Sequence, residues 1–205
     1  MAGSDVRSVH ITADTTAASA TSVAGAATVT ATGGFTLTAT GGVTFTAARI
    51  ITATTAGTSD GGKVVTVVGT GINGGALTDT ITLASTATTV SGTQYFKSVT
   101  SATIDTTSTG NVSLGNGAGA ADVIFQERAR LKGAFIVNAS NAGVISFVNG
   151  SPVGTVKMKL GTVSSAAAER DVTIPGEGVM FEDGAYITYT GGSSKIFTNM
   201  TLFHA

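Results

Sequence analysis

Cysteine and tryptophan are absent from the 205-residue chain, proline occurs twice, and charged residues make up 11% of it. The missing cysteine excludes a disulfide framework, a thiolate zinc site and a cysteine nucleophile. The charged fraction is less than half the roughly 25% of an ordinary soluble domain. With a net charge of −1, nothing attracts nucleic acid at long range. No run approaches the roughly 18–20 apolar residues that span a bilayer, so no membrane partner is expected. The opening MAGSDVRSVH has no basic start followed by an apolar stretch. No secretory signal peptide is expected there.

What the chain has in excess is threonine, 37 residues, with 28 glycines. Apolar residues reach 42%, many of them alanine, and aromatics only 6%. This composition favours a β-rich structural or binding protein over an enzyme. It also changes along the chain. Residues 1–120 hold 30 of the 37 threonines and 9 of the 23 charges, and residues 121–205 the rest. Basic and acidic residues nearly balance in each part, so neither is a charged tail. The small-residue stretch GNGAGAADV (115–123) sits at the change and reads as a flexible boundary. Three parts are expected: an N-terminal arm or first strand (1–25), a Thr/Gly-rich β-sandwich module (26–118) and a C-terminal β-sandwich module (119–205).

The dominant period is two. In TVTATGGFTLTATGGVTFTA (28–47) threonines take the even positions, and Val29, Phe35, Leu37, Val43 and Phe45 take odd ones. Successive strand side chains point to opposite faces, so one face is hydroxyl-bearing and the other apolar. With Gly33-Gly34 and Gly41-Gly42 as turns, this stretch predicts two or three short strands. Runs at 64–68 and 77–83 flank GTGING, where Asn73-Gly74 signals a two-residue hairpin. Further strands are expected at 94–105 and 110–115. In the second part they are expected at 133–138, 143–148, 153–160, 170–174, 179–181, 185–190 and 195–203, with turns at Asn149-Gly150, Pro175-Gly176-Glu177-Gly178 and Gly191-Gly192. The core expected there is Phe135, Val137, Val144, Phe147, Val156, Met158, Leu160, Ile174, Phe181, Tyr186, Ile196, Phe197 and Leu202. Only 123–134 hints at a helical turn, with a linker or an edge strand as the alternative. The fold class is all-β, two antiparallel sandwich modules of Ig-like or jelly-roll-like type with short hairpins and almost no helix.

Several motifs have residue types that could carry chemistry. Gly69, Gly71 and Gly74 match the dinucleotide spacing G-x-G-x-x-G. That fingerprint needs a helix start to meet the pyrophosphate, and here a strand pattern follows, so a hairpin is expected. His10 and His204 have no neighbouring carboxylate or second histidine in sequence, which favours solvated or interfacial histidines over a metal site. Glu182-Asp183 and Glu169/Asp171 are the nearest carboxylate pairs, but turns and strands explain them, and aromatic sugar platforms are scarce. Arg128, Arg130 and Lys132 share one face if extended, where they could meet an acidic partner, but the neutral total charge favours a solvated strand or linker. Sequons at Asn111, Asn138, Asn149 and Asn199 read as chance products of a Ser/Thr-rich chain. No catalytic, cofactor-binding or metal residue is assigned, and the protein is not expected to be an enzyme.

The stretch 48–115 resembles a module of tailed-bacteriophage virion structural proteins. The resemblance is carried by Gly69-Thr70, by Thr78 to Ile81, and by Phe96-Lys97-Ser98-Val99-Thr100-Ser101. The second part is similar to small β-modules of phage particles through its Ile174-Pro175-Gly176-Glu177-Gly178 turn and through Phe181, Gly184 and Tyr186. The resemblance implies a virion component assembled in the host cytoplasm. The expected role is a capsid decoration, or cement, protein bound to the major capsid protein or other virion proteins, as a homotrimer or dimer. The alternatives are a tail or head–tail junction part, or a glycan-binding adhesin on the particle. Two physical expectations accompany it. Strand edges with few lysines or prolines are open to pairing with another chain. The first module has too few large side chains for a deep core of its own.

Overall fold

Alternating and β-branched sequence builds strands almost throughout. The computed structural model describes residues 6–164 and 169–205. Its strands are β1 (Arg7–Thr12), β2 (Ser19–Ala27), β3 (Val43–Thr55), β4 (Val64–Gly71), β5 (Ala76–Thr82), β6 (Thr89–Ile104), β7 (Val112–Phe125), β8 (Ala129–Asn138), β9 (Gly143–Asn149), β10 (Thr155–Thr162), β11 (Glu169–Thr173), β12 (Val179–Phe181), β13 (Ala185–Thr190) and β14 (Phe197–His204). A single 3₁₀ turn, Gly192–Ser194, is the helical element among the described residues. The pairings are antiparallel and the fold is all-β, as the alternation implies.

The chain divides into two compact units. One is Ala18–Ala118, the threonine-rich unit, and the other joins Met1–Ala17 to Gly119–Ala205, the C-terminal unit. The change falls where the composition shifts, but no linker marks it. GNGAGAADV lies inside β7. Its small side chains serve close approach, not flexibility. A Cβ on Gly115 would stand 1.7 Å from the Ser19 carbonyl oxygen of the adjacent β2 segment. Arg49, fully buried, donates to the carbonyls of Gly117 and Ala118, both at 3.2 Å.

In the threonine-rich unit, β7, β3, β6, β4 and β5 lie side by side with β2 on β7. β6 pairs with β3 through its first part and with β4 through its second, with register shifts in both ladders. Contrary to expectation, this unit has a core of its own. Phe35, Phe45, Ile51, Val65, Val67, Ile81, Leu83, Phe96, Val99, Ile104, Val112 and Leu114 pack in one buried cluster. The large side chains are few, but period two sends most of them inward.

The stretch 28–42 forms no ladder of short strands. Val29 and Phe35 anchor it in the core, and its backbone is satisfied piecemeal. Phe35 N–H donates to the Ala102 carbonyl, Thr38 N–H to the Val23 carbonyl, and Val29 N–H to the Ser108 hydroxyl. Gly33 N–H donates to the Thr30 hydroxyl. Threonine hydroxyls that take local amides compete with strand pairing, and runs of a few residues between glycine pairs gain too little to prevail.

The C-terminal unit places two antiparallel sheets face to face. One runs β1-β14-β8-β11, with β12 also on β8, and the other runs β10-β9-β13 to the later part of β7. Aromatic contacts join them: Tyr189 on β13 meets Phe197 on β14 at 4.8 Å between ring centroids, and Phe125 on β7 meets Phe181 on β12 at 5.9 Å. Of the expected core, Phe147, Phe181, Tyr186, Ile196, Phe197 and Leu202 are buried. Val144 and Val156 are not, at 50% and 44% exposure. In β8 the phase is opposite to expectation. Ala134 and Ile136 face inward against Leu202 and Met200, while Phe135 and Val137 are half-buried on the other side. An unbroken apolar run such as AFIV does not reveal which face is inside.

The segment expected as an arm is built in where it is described. β1 pairs with β14 over all six of its residues, and β2 pairs with β7. Asp14 lies between them, 4% exposed, its N–H donating to the Tyr189 hydroxyl. The hint of helix at 123–134 resolves into the end of β7, a bend and the start of β8.

Candidate functional site

The strands β5, β4 and β6 present one outward face whose composition follows from strand parity. Thr78, Thr80 and Thr82 of β5 are exposed, while Asp79 and Ile81 point inward. Across β4 they align with Val68, Thr66 and Val64. On β6, Ser101 and Thr103 stand opposite Val68 and Thr66. One row further, Thr70 and Ser98 share a hydroxyl hydrogen bond of 2.7 Å. The face is a lattice of hydroxyls and methyls, with Asp105 at its margin.

Charge is scarce on this face, and half of the unit's six charged residues are buried. Its charged residues are Arg49, Asp60, Lys63, Asp79, Lys97 and Asp105. Arg49, Asp60 and Asp79 are buried. The Asp60 carboxylate accepts the Lys63 ammonium at 2.7 Å, Thr109 N–H at 2.7 Å and Gly110 N–H at 3.0 Å. Burial alone would raise its pKa, but Lys63 and the two amides outweigh it and hold the carboxyl below its ordinary range. Asp79 accepts Thr93 N–H at 2.7 Å, Gln94 N–H at 3.0 Å and Thr80 N–H at 2.9 Å. Lys97 donates to the Thr46 carbonyl.

The strand edges are better guarded than the sequence implied. The strands ending the sheet paths are β1, β11, β10 and β5. β10 carries Lys157 and Lys159, β11 carries Glu169, Arg170 and Asp171, and β1 carries Arg7 and His10. On β5 the inward Asp79 takes the Thr80 amide. Inward-pointing and edge charges of this kind oppose strand addition.

The motifs singled out in the sequence fall as follows. GTGING is the β4–β5 hairpin, with no helix after it. Gly71 N–H donates to the Gly75 carbonyl and Gly74 N–H to the Gly71 carbonyl, giving a three-residue loop with Gly74 at φ 77°. A turn followed by a left-handed glycine replaces the expected two-residue turn on Asn73-Gly74. Glu182-Asp183 is a turn capped by Asn149, whose Oδ1 accepts Glu182 N–H at 2.8 Å. Lys157 sits 3.2 Å from Glu182 and, by its hydrogen bond, lowers that exposed carboxyl's pKa. Glu169 and Asp171 are exposed on β11. The sequon residue Asn138 is fully buried. Arg130 and Lys132 are half-buried on β8, and Arg128 is exposed in the bend before it.

His10 and His204 lie on the paired strands β1 and β14. His10 Nδ1 is 3.3 Å from the Thr201 hydroxyl. His204 is opposite Arg7 in the ladder and packs on Phe125 at 4.8 Å between centroids. Burial and the Arg7 charge push its pKa down. A buried cluster not foreseen from sequence centres on Tyr189, whose hydroxyl donates to Asp122 at 2.6 Å. Burial and the Asp122 charge hold this phenol far above the ordinary tyrosine range. The three residues of that cluster are 67 or more positions apart, so local pattern gave no signal.

Among the described residues, no three His, Asp or Glu side chains converge as metal ligands. No described helix is long and apolar enough to cross a membrane. No family model, curated protein or solved structure matches the chain.

Proposed function

We propose that this chain is a structural subunit of a tailed-bacteriophage particle, a decoration protein on the head exterior that works by association and without a catalytic step, cofactor or metal. The observation that carries the reading is the hydroxyl-rich outer face of β5, β4 and β6, with Asp105 at its margin. Interface cores are depleted of charge, because an ion removed from water loses its hydration. Threonine loses little rotamer freedom on contact, being stiff at χ1. A face of Thr78, Thr80, Thr82, Thr66 and Thr103 therefore suits burial against the major capsid protein or another copy. The guarded edges point to faces, not strand addition, as the mode of contact. The resemblance of 48–115 to virion modules supports the same reading.

Bound subunits stabilise the shell by mass action, in proportion to the logarithm of their occupancy ratio. Closed cyclic symmetry makes a homotrimer or homodimer the expected solution form. Particles stripped of the protein should lose heat resistance and regain it on adding the purified chain. Unchanged resistance would overturn the role. Particle imaging separates the head from the tail: a copy number scaling with the major capsid subunit supports decoration, and a single ring of copies assigns it to the tail or junction.

A further inference from the structure

One end of the C-terminal unit holds a cleft of about 450 Å³. Arg7 of β1, Phe125 at the end of β7, Gln126, Glu127 and Arg128 of the bend, and His204 of β14 line it. Arg130 borders a shallower hollow that shares Arg128. Arg7 and Arg128 thus line the cleft beside one acidic side chain, Glu127, and Ala129 and Ala205 complete the lining. The described ion pairs, Lys63–Asp60 and Lys157–Glu182, involve neither Arg7 nor Arg128, although the field of Arg128 reaches Glu182. The Phe125 ring, packed on His204, supplies an apolar wall. The cleft is within the size range of small-ligand sites, which combine apolar walls with a few convergent polar groups. A guanidinium offers paired N–H donors to a planar or tetrahedral oxyanion.

We propose that this cleft binds an oxyanion, a carboxylate or phosphate group seated between Arg7 and Arg128, with Gln126 and His204 as further donors and Phe125 against the ligand's apolar part. The basic cluster noted in the sequence contributes Arg128 to it. The decisive partners, Arg7 and His204, come from the far ends of the numbering. The site stands independently of where the chain sits in a particle.

His204 is a built-in reporter. Burial and the Arg7 charge now depress its titration; an anion beside it would offset the Arg7 part, so binding should move the imidazole pKa upward. The experiment is an NMR titration of both histidines in the full chain, with inorganic phosphate, with succinate, and with sodium chloride at matched ionic strength. His10, outside the cleft, is the internal control. The expected result is an upward, saturable shift of His204 alone, with phosphate, succinate or both. The responding anion gives the ligand class. Arg7→Gln and Arg128→Gln, both at exposed positions, should each weaken binding about tenfold while leaving the melting curve unchanged. No shift with either anion, an equal shift with chloride, or a shift that survives both substitutions would overturn the proposal.

Discussion

Asp60 offers the sharpest stability test, because one side chain closes two loops of the threonine-rich unit. Its carboxylate takes Lys63 at 2.7 Å and the amides of Thr109 and Gly110 at 2.7 and 3.0 Å. Lys63 in turn donates to the Thr107 carbonyl at 2.9 Å. Asp60→Ala leaves two amides without their acceptor and Lys63 without its counter-charge, with only the Thr107 carbonyl and the Thr109 hydroxyl still accepting from the ammonium. Removing one member of a buried pair costs about 3–5 kcal/mol. Lys63 keeps 15% of its side-chain exposure, so about 3 kcal/mol is the better figure for this site. Urea unfolding followed by far-ultraviolet circular dichroism would measure it, since tryptophan fluorescence is not an option in this chain. The pH dependence has a definite sign. The folded pKa lies below the ordinary 3.8, so the contribution is complete above about pH 4 and is lost as pH falls through the lower folded value. Asp60→Asn should therefore flatten the acid limb of the stability curve. A loss below about 1 kcal/mol for Asp60→Ala, or an unchanged acid limb in Asp60→Asn, would refute the reasoning.

Two further substitutions test packing. Gly115→Ala places a methyl against the Ser19 carbonyl and should lower stability by about 1–3 kcal/mol in the same urea assay; a neutral result would mean β2 does not lie so close to β7. Asn138 is fully buried, with neither side-chain polar atom hydrogen-bonded among the described residues. Asn138→Leu should be neutral or stabilising by about 1 kcal/mol, since it removes an uncompensated polar group, and a large loss would reveal a partner for the amide.

Strand parity was legible wherever polar and apolar residues alternate. ALTDTIT gives the exposed threonines of β5 directly, and the Gly-rich tip gives the β4–β5 hairpin. Phase was illegible where apolar residues run together, as around Phe135 and Ile136 in β8. Glycine and alanine misled in β7, because small side chains mark both flexible segments and backbones pressed close by a neighbour. Which of the two holds depends on β2 and Arg49, distant in sequence. The charge-poor face was half legible. Six charges between 18 and 118 are visible in the sequence, but the burial of three of them, Arg49, Asp60 and Asp79, is not. The cleft between Arg7, Arg128 and His204 was invisible as well: pairing of β1 with β14 sets Arg7 opposite His204, and the bend after β7 adds Arg128.

Placing charge on the hydroxyl face tests the proposed contact directly. Thr80→Lys and Thr103→Glu alter exposed side chains, so each variant should fold and melt like the parent chain. Rebinding to particles stripped of the protein should then fall by about tenfold or more, because an unpaired charge buried at a contact costs several kcal/mol. Full rebinding by both folded variants would show that this face stays in water and that the chain attaches elsewhere.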